Sequence, residues 1–189
     1  MKRWLGKAET ALGNHSDRLN AINIFPVADG DTGTNLYLTV RAATQALHGH
    51  GHGPGSASHS VDPRQMEAAQ TDVGAVLAAA GQAAMEQARG NSGTLFAVFL
   101  CAAAEPLAGH TRLTSTLLAA ALNRAQIRAW SALSDPVPGT MLSVMEAAAR
   151  AAAAVDAGQN GDDSNHALGL SLDAAVEGAL AAVIRTEGQ

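Results

Sequence analysis

Two carboxylates one residue apart, Asp29 and Asp31, sit inside the segment NIFPVADGDTGTN at residues 23–35. With only Gly30 between them, both can turn oxygens toward one hard cation, and the Asn23 amide adds an oxygen upstream. Thr32, Gly33, Thr34 and Asn35 follow at once, bringing hydroxyls, an amide and a backbone without bulk. Small residues at a turn leave N–H groups open to an anion. This is a composition suited to holding Mg²⁺ and phosphate together. A calcium-binding EF-hand does not fit: counted from Asp29, the sixth position is Thr34 rather than glycine and the twelfth is Val40 rather than glutamate. The bland alternative is a solvated turn whose aspartates cap the next helix.

Two further junctions have similar chemistry. At 88–94, ARGNSGT, one helix ends and another begins, so Gly90, Asn91, Ser92 and Gly93 offer a helix start with exposed N–H groups and its dipole. At 136–142, PVPGTML, Thr140 sets a hydroxyl beside the flexible apolar Met141. Each alone reads as a cap. In a bundle, all three open helices that run away from a common end. No Gly-x-x-x-x-Gly-Lys-Ser/Thr motif is present, and no lysine follows Lys7. A bound nucleotide would therefore be neutralised by Mg²⁺, backbone N–H groups and an arginine, Arg41 and Arg89 being nearest in sequence. His48, His50, His52 and His59 lie in a Gly/Ser-rich stretch and read as a surface loop with no cysteine or carboxylate to complete a metal site. No Ser-His-Asp or Cys-His arrangement can be argued.

The elements that must position these residues are helical. Leu5, Ala8, Leu12, Leu19 and Ile22 recur at helical steps, and Pro26 ends that helix. Further helices are expected over 34–47, 62–70, 72–89, 91–104, 113–133, 140–156 and 167–185, with Asp62 and Asp72 as caps and Pro106 as a stop. About eight helices, no strand alternation and mostly short connections predict an all-α fold, an antiparallel eight-helix barrel or bundle.

Composition narrows the function classes. The 189 residues are 47% hydrophobic but only 3% aromatic, so the core must rest on Ala, Leu, Val and Met. A net charge of −5 and scattered arginines argue against nucleic acid as the ligand. Cys101, the lone cysteine, excludes an intrachain disulfide and reads as a small core residue. No uninterrupted membrane span and no signal-peptide core are expected, which makes a cytoplasmic location the simplest expectation.

Segment 23–35 resembles the signature of the dihydroxyacetone kinase L-domain (DhaL-type) superfamily. The Phe25-Pro26-Val27 lead-in, the ARGNSG of 88–93 and the GTML of 139–142 resemble most closely the N-terminal ATP-binding domain of bacterial fatty acid kinase. The three motifs stand in the family's order, and the resemblance spans nearly the whole chain. It implies one DhaL-type domain over 1–189, a barrel of eight helices, and Mg-ATP at one end. Carried onto this sequence, Asp29 and Asp31 hold a pair of Mg²⁺ ions, with Asn23 near a third carboxylate position of the glycerone-kinase branch. Thr32, Thr34 and Asn35 orient phosphates or metal-bound waters, Gly90, Asn91, Ser92 and Gly93 face phosphate, and Thr140 and Met141 border the nucleotide. The chain departs from the pattern at Ala28, at Pro138 and in the apolar run 95–100. Fatty acid kinases continue into further domains, so the chain is expected to be either an excised domain or a short stand-alone member.

The implied activity is a kinase using ATP/ADP, its acceptor presented by a partner protein: a fatty-acid-binding subunit or, alternatively, a dihydroxyacetone-binding one. A non-catalytic ADP/ATP-binding regulatory domain and a helical scaffold with a degenerate site stay open as alternatives, as does a homodimer.

Overall fold

The computed structural model describes residues 2–21, 30–48 and 71–186. They form seven α-helices: α1 (Lys2–Ala21), α2 (Thr32–His48), α3 (Val73–Gln87), α4 (Gly90–Ala104), α5 (Ser115–Ser131), α6 (Met141–Gly158) and α7 (Asn165–Thr186), with a short 3₁₀ turn at Glu105–Leu107. Among the described residues there is no strand, so the all-α expectation holds. The expected 62–70 helix and the stretch 49–60 lie outside the described residues. His48, assigned to a loop from composition, instead closes α2, its ring nitrogen 2.9 Å from the Thr44 carbonyl oxygen.

Successive helices run antiparallel, as paired close approaches demonstrate. A Cβ on Gly13 would meet Tyr37, while one on Gly33 would meet Ser16 and Leu19, so α1 and α2 run oppositely. Gly74 lies against Leu107 and Ala108, and Gly81 against Cys101, which sets α3 against α4. Thr116 near the start of α5 bonds Asp156 near the end of α6 at 3.0 Å. Gly178 of α7 rests on Ala147 and Ala151 of α6. Helix α2 also packs on α4, and α5 on α7, each pair skipping one neighbour. The buried Ser115–Ser171 hydroxyl pair, 2.6 Å apart, joins the starts of α5 and α7 and satisfies two polar groups that burial would otherwise penalise.

The core follows the composition. Ala43, Ala80, Ala84, Ala97 and Ala125 are fully buried around Leu47, Leu77, Leu100 and Leu107. Small side chains let the helix backbones approach closely, and glycines do so at the tightest crossings. Cys101 lies at the α3–α4 crossing beneath Gly81, where burial and then the charge of Glu105 push its thiol above the ordinary value. It belongs to the packing, as expected.

Helix α7 departs from one expectation. By length and composition it is apolar enough to cross a membrane, with a mean hydropathy of 1.7 in a window 22% buried. The sequence reading missed it because Asp173 and Glu177 interrupt the apolar run. Here α7 packs on α5 and α6 as a bundle helix.

Candidate functional site

Antiparallel alternation puts the starts of α2, α4 and α6 at one end of the molecule, with the ends of α1, α3 and α5. The three sequence motifs open α2, α4 and α6, so all three lie toward that end. Asn23 and Asp29 lie outside the described residues. Asp31, half-buried, immediately precedes α2, and its carbonyl oxygen accepts the Asn35 N–H at 2.8 Å.

The first and second motifs touch. Gly90 heads α4 with φ of +61°, a left-handed conformation that glycine adopts without a Cβ penalty. A Cβ there would stand 2.6 Å from Nδ2 of Asn35, and one on Gly93 would stand 2.6 Å from Oγ1 of Thr39. Glycine at both positions lets the α4 backbone lie directly on α2. Asn35 and Thr39 are buried, and the Thr39 hydroxyl donates to the Asn35 carbonyl at 2.7 Å. The Ser92 hydroxyl faces the Thr32 carbonyl at 3.5 Å. Thr32, Asn35, Gly90, Ser92 and Gly93 thus form one contiguous seam, with Asn91 exposed at its edge.

The third motif joins through apolar contacts. Leu95 of α4, Ala129 of α5, and Leu142 and Met145 of α6 form a buried cluster, with Phe96, Phe99, Trp130, Leu133 and Met141 packed against it. Burying a leucine such as Leu142 completely contributes about 2 kcal/mol, so this cluster anchors the start of α6 on α5, which in turn packs on α4. Thr140 caps α6: its Oγ1 accepts the Leu142 N–H at 3.4 Å and donates to the Val137 carbonyl at 2.8 Å. Gly139, with φ of +79°, turns the chain into the helix and gives its N–H to the Ser143 hydroxyl at 2.9 Å.

The helix starts of the whole bundle differ in one respect that matters for anions. The first N–H groups of a helix lack intrahelical acceptors and need another partner. Asp72 accepts from Ala75 N at the start of α3, and Thr114 from Leu117 N at α5. Ser164 accepts from Ala167 N at α7, and Thr140 serves α6. At α2 the acceptor is Asn20 of α1, whose Oδ1 takes Gly33 N at 2.8 Å and Thr34 N at 3.1 Å. Helix α4 alone among these six has no side-chain cap; extended Arg89 occupies the position and offers only its carbonyl, which accepts the Gly93 N–H at 3.2 Å. Its start therefore keeps N–H groups and the positive end of the helix dipole for another partner.

Sequence reasoning did not find Asn20, Thr39 or Trp130. Asn20 reads locally as one more polar residue near a helix end, and only the packing of α1 on α2 carries it to Gly33. The described residues contain no cluster of three or more His, Cys, Asp or Glu side chains. They supply one carboxylate of the expected pair, Asp31, close to hydroxyls and an uncapped helix start.

Residues 49–188 match the DAK2 domain family. An uncharacterised protein of Staphylococcus aureus (strain bovine RF122 / ET3-1) is 27% identical over 152 residues, covering 80% of this chain and 24% of that protein. Uncharacterised proteins of S. aureus strains USA300 and N315 are each 27% identical over 141 residues, covering 75% of this chain and 22% of theirs. The chain thus spans about a quarter of the length of these relatives.

Proposed function

The chain belongs to the DAK2 domain family, the family of the dihydroxyacetone kinase L subunit, and on that premise we propose that it is a Mg-ATP-binding phosphotransferase domain. The observation that carries this reading is the uncapped start of α4 lying against α2, directly beside Asp31 and the threonines. Gly90, Asn91 and Ser92 would present backbone N–H groups to the nucleotide phosphates, while Gly93, whose own N–H bonds the Arg89 carbonyl at 3.2 Å, would keep that helix start pressed on α2. Asp31, with Asp29 and Asn23, would hold Mg²⁺, which when bound neutralises phosphate oxygens that no lysine here can reach. Thr32, Thr34 and Asn35 would orient those oxygens or metal-bound waters. Met141, packed against the same buried cluster as Trp130 and Leu133, would give the base an apolar border, and Thr140 would hold the loop that carries it.

Among the described residues, the seam of Thr32, Asn35, Gly90, Ser92 and Gly93 contains no lysine, histidine or cysteine to act as a general base or covalent nucleophile. That suits an acceptor brought by a partner, with this domain positioning and polarising the γ-phosphoryl group. A fatty acid on a fatty-acid-binding protein is the acceptor we favour, on the lead-in at 25–27 and the ARGNSG and GTML motifs. Dihydroxyacetone on a ketone-binding subunit is the alternative.

Mg-ADP binding tests the reading. A ligand specific for the folded state raises stability, so saturating Mg-ADP, at about a hundredfold over Kd, should add about 2.7 kcal/mol and raise the melting temperature. Asp31→Ala should remove the Mg-dependent part of that rise while helical content stays intact. A wild-type melting temperature indifferent to Mg-ADP and Mg-ATP would leave a helical scaffold as the better description.

A further inference from the structure

The Asn20 side chain makes three hydrogen bonds to the first turn of α2, more than capping requires. Its Oδ1 accepts Gly33 N at 2.8 Å and Thr34 N at 3.1 Å, and its Nδ2 donates to Thr34 Oγ1 at 2.9 Å. The two backbone donors fix the amide orientation, because only the carbonyl oxygen can face both N–H groups. Nδ2 must then point at the Thr34 hydroxyl and occupy one of its lone pairs. A hydroxyl has one proton, and Asn20 cannot receive it there. Thr34 is exposed, and no protein acceptor takes that proton among the described residues.

We infer that Asn20 is a positioning residue that sets the Thr34 hydroxyl as a hydrogen-bond donor toward an anionic ligand, the nucleotide phosphate or its metal-bound water. This rests on the nucleotide-binding reading of the same end of the molecule. It also divides the labour between two helix starts. Asn20 uses the Gly33 and Thr34 N–H groups of α2, so phosphate is left to the uncapped start of α4, and α2 contributes through a hydroxyl. Asn20 reaches this place because Gly33 has no Cβ: one would stand 2.2 Å from the Ser16 carbonyl oxygen and force α1 away.

Aspartate at position 20 separates the two roles of the amide. Asn20→Asp keeps an oxygen for the two backbone N–H groups, and aspartate caps a helix start as well as asparagine. Its second oxygen accepts only, so the Thr34 hydroxyl must turn and donate to it, away from the ligand. Titration calorimetry with Mg-ADP on wild type, Asn20→Asp, Thr34→Val and the double variant reads the difference. Losing a hydrogen bond to a charged group costs each single variant about tenfold or more in affinity. The double variant should be no weaker than Thr34→Val alone, and Asn20→Asp without nucleotide should melt as wild type does.

Wild-type affinity in Thr34→Val overturns the inference whatever Asn20→Asp does, including failure to fold. So does an Asn20→Asp loss that adds in full on the Thr34→Val background, which marks a general effect of the new charge. If these outcomes occur while Asp31→Ala still abolishes Mg-ADP binding, the nucleotide reading stands and the inference alone falls. If wild type binds no Mg-ADP, both fall together.

Discussion

Gly90→Ala tests the contact on which the candidate site is built, and the structure supplies two separable costs. The first is conformational: φ is +61° at Gly90, and an L-residue in the left-handed region costs about 1–2 kcal/mol. The second is steric. The added Cβ would stand 2.6 Å from Nδ2 of Asn35, well inside van der Waals contact, and Asn35 is only 5% exposed, so its amide has little room to retreat. Forcing extra volume into a packed contact costs about 1–3 kcal/mol. The two together lie at roughly 2–5 kcal/mol, and a chain of this size loses about 2–4 °C in melting temperature per kcal/mol, so a fall of roughly 4–20 °C is expected. Thermal unfolding followed by circular dichroism at 222 nm, without nucleotide, measures it. Repeating the substitution on an Asn35→Ala background removes the steric part and should leave only the conformational cost of about 1–2 kcal/mol. A change below about 2 °C, or the same fall in both backgrounds, would refute the close approach of α4 to α2.

Gly33→Ala should be more severe, because its Cβ would meet backbone, the Ser16 carbonyl oxygen at 2.2 Å, as well as Cβ of Leu19 at 2.8 Å. Separation of α1 from α2, seen as faster hydrogen exchange in α1 and a lower melting temperature, is the expected outcome; wild-type exchange would contradict the packing. At the opposite end, Asp72 accepts the N–H groups of Ala75 and Gly109, and these bonds hold its carboxyl below the ordinary carboxylate range. Its folded-state value is depressed, so its contribution is present above the unfolded value and is lost as pH falls through the folded one. Asp72→Asn should therefore flatten the fall in melting temperature below about pH 4, and an unchanged acid limb would contradict the assignment.

Much of this protein is local in origin and could be read without coordinates. Seven of the expected helices appear within a few residues of their anticipated bounds, because apolar periodicity and caps such as Asp72 and Thr140 act within one or two turns. His48 was misplaced since composition marks a loop, whereas its ring nitrogen reaches back to Thr44 and continues the helix. The motif order was legible too, as was the lack of any lysine after Lys7.

What only the tertiary structure decided is which of these residues meet, and in what state. Gly90 and Asn35 are 55 positions apart, and nothing in either segment announces that one lies against the other. Antiparallel alternation brings them together, since every second helix starts at the same end. The absence of a cap on α4 is likewise tertiary: Arg89-Gly90-Asn91-Ser92 holds residues that cap helices elsewhere, and only the backbone path shows that none does so here. Asn20 is the sharpest case. In sequence it is a polar residue closing an amphipathic helix, and α1 must cross α2 at Gly33 before its amide can fix where the Thr34 proton points. Sequence determined the chemical inventory because residue types and local periodicity are written along the chain. Donor direction and the sharing of N–H groups arise between helices, so packing alone assigned them.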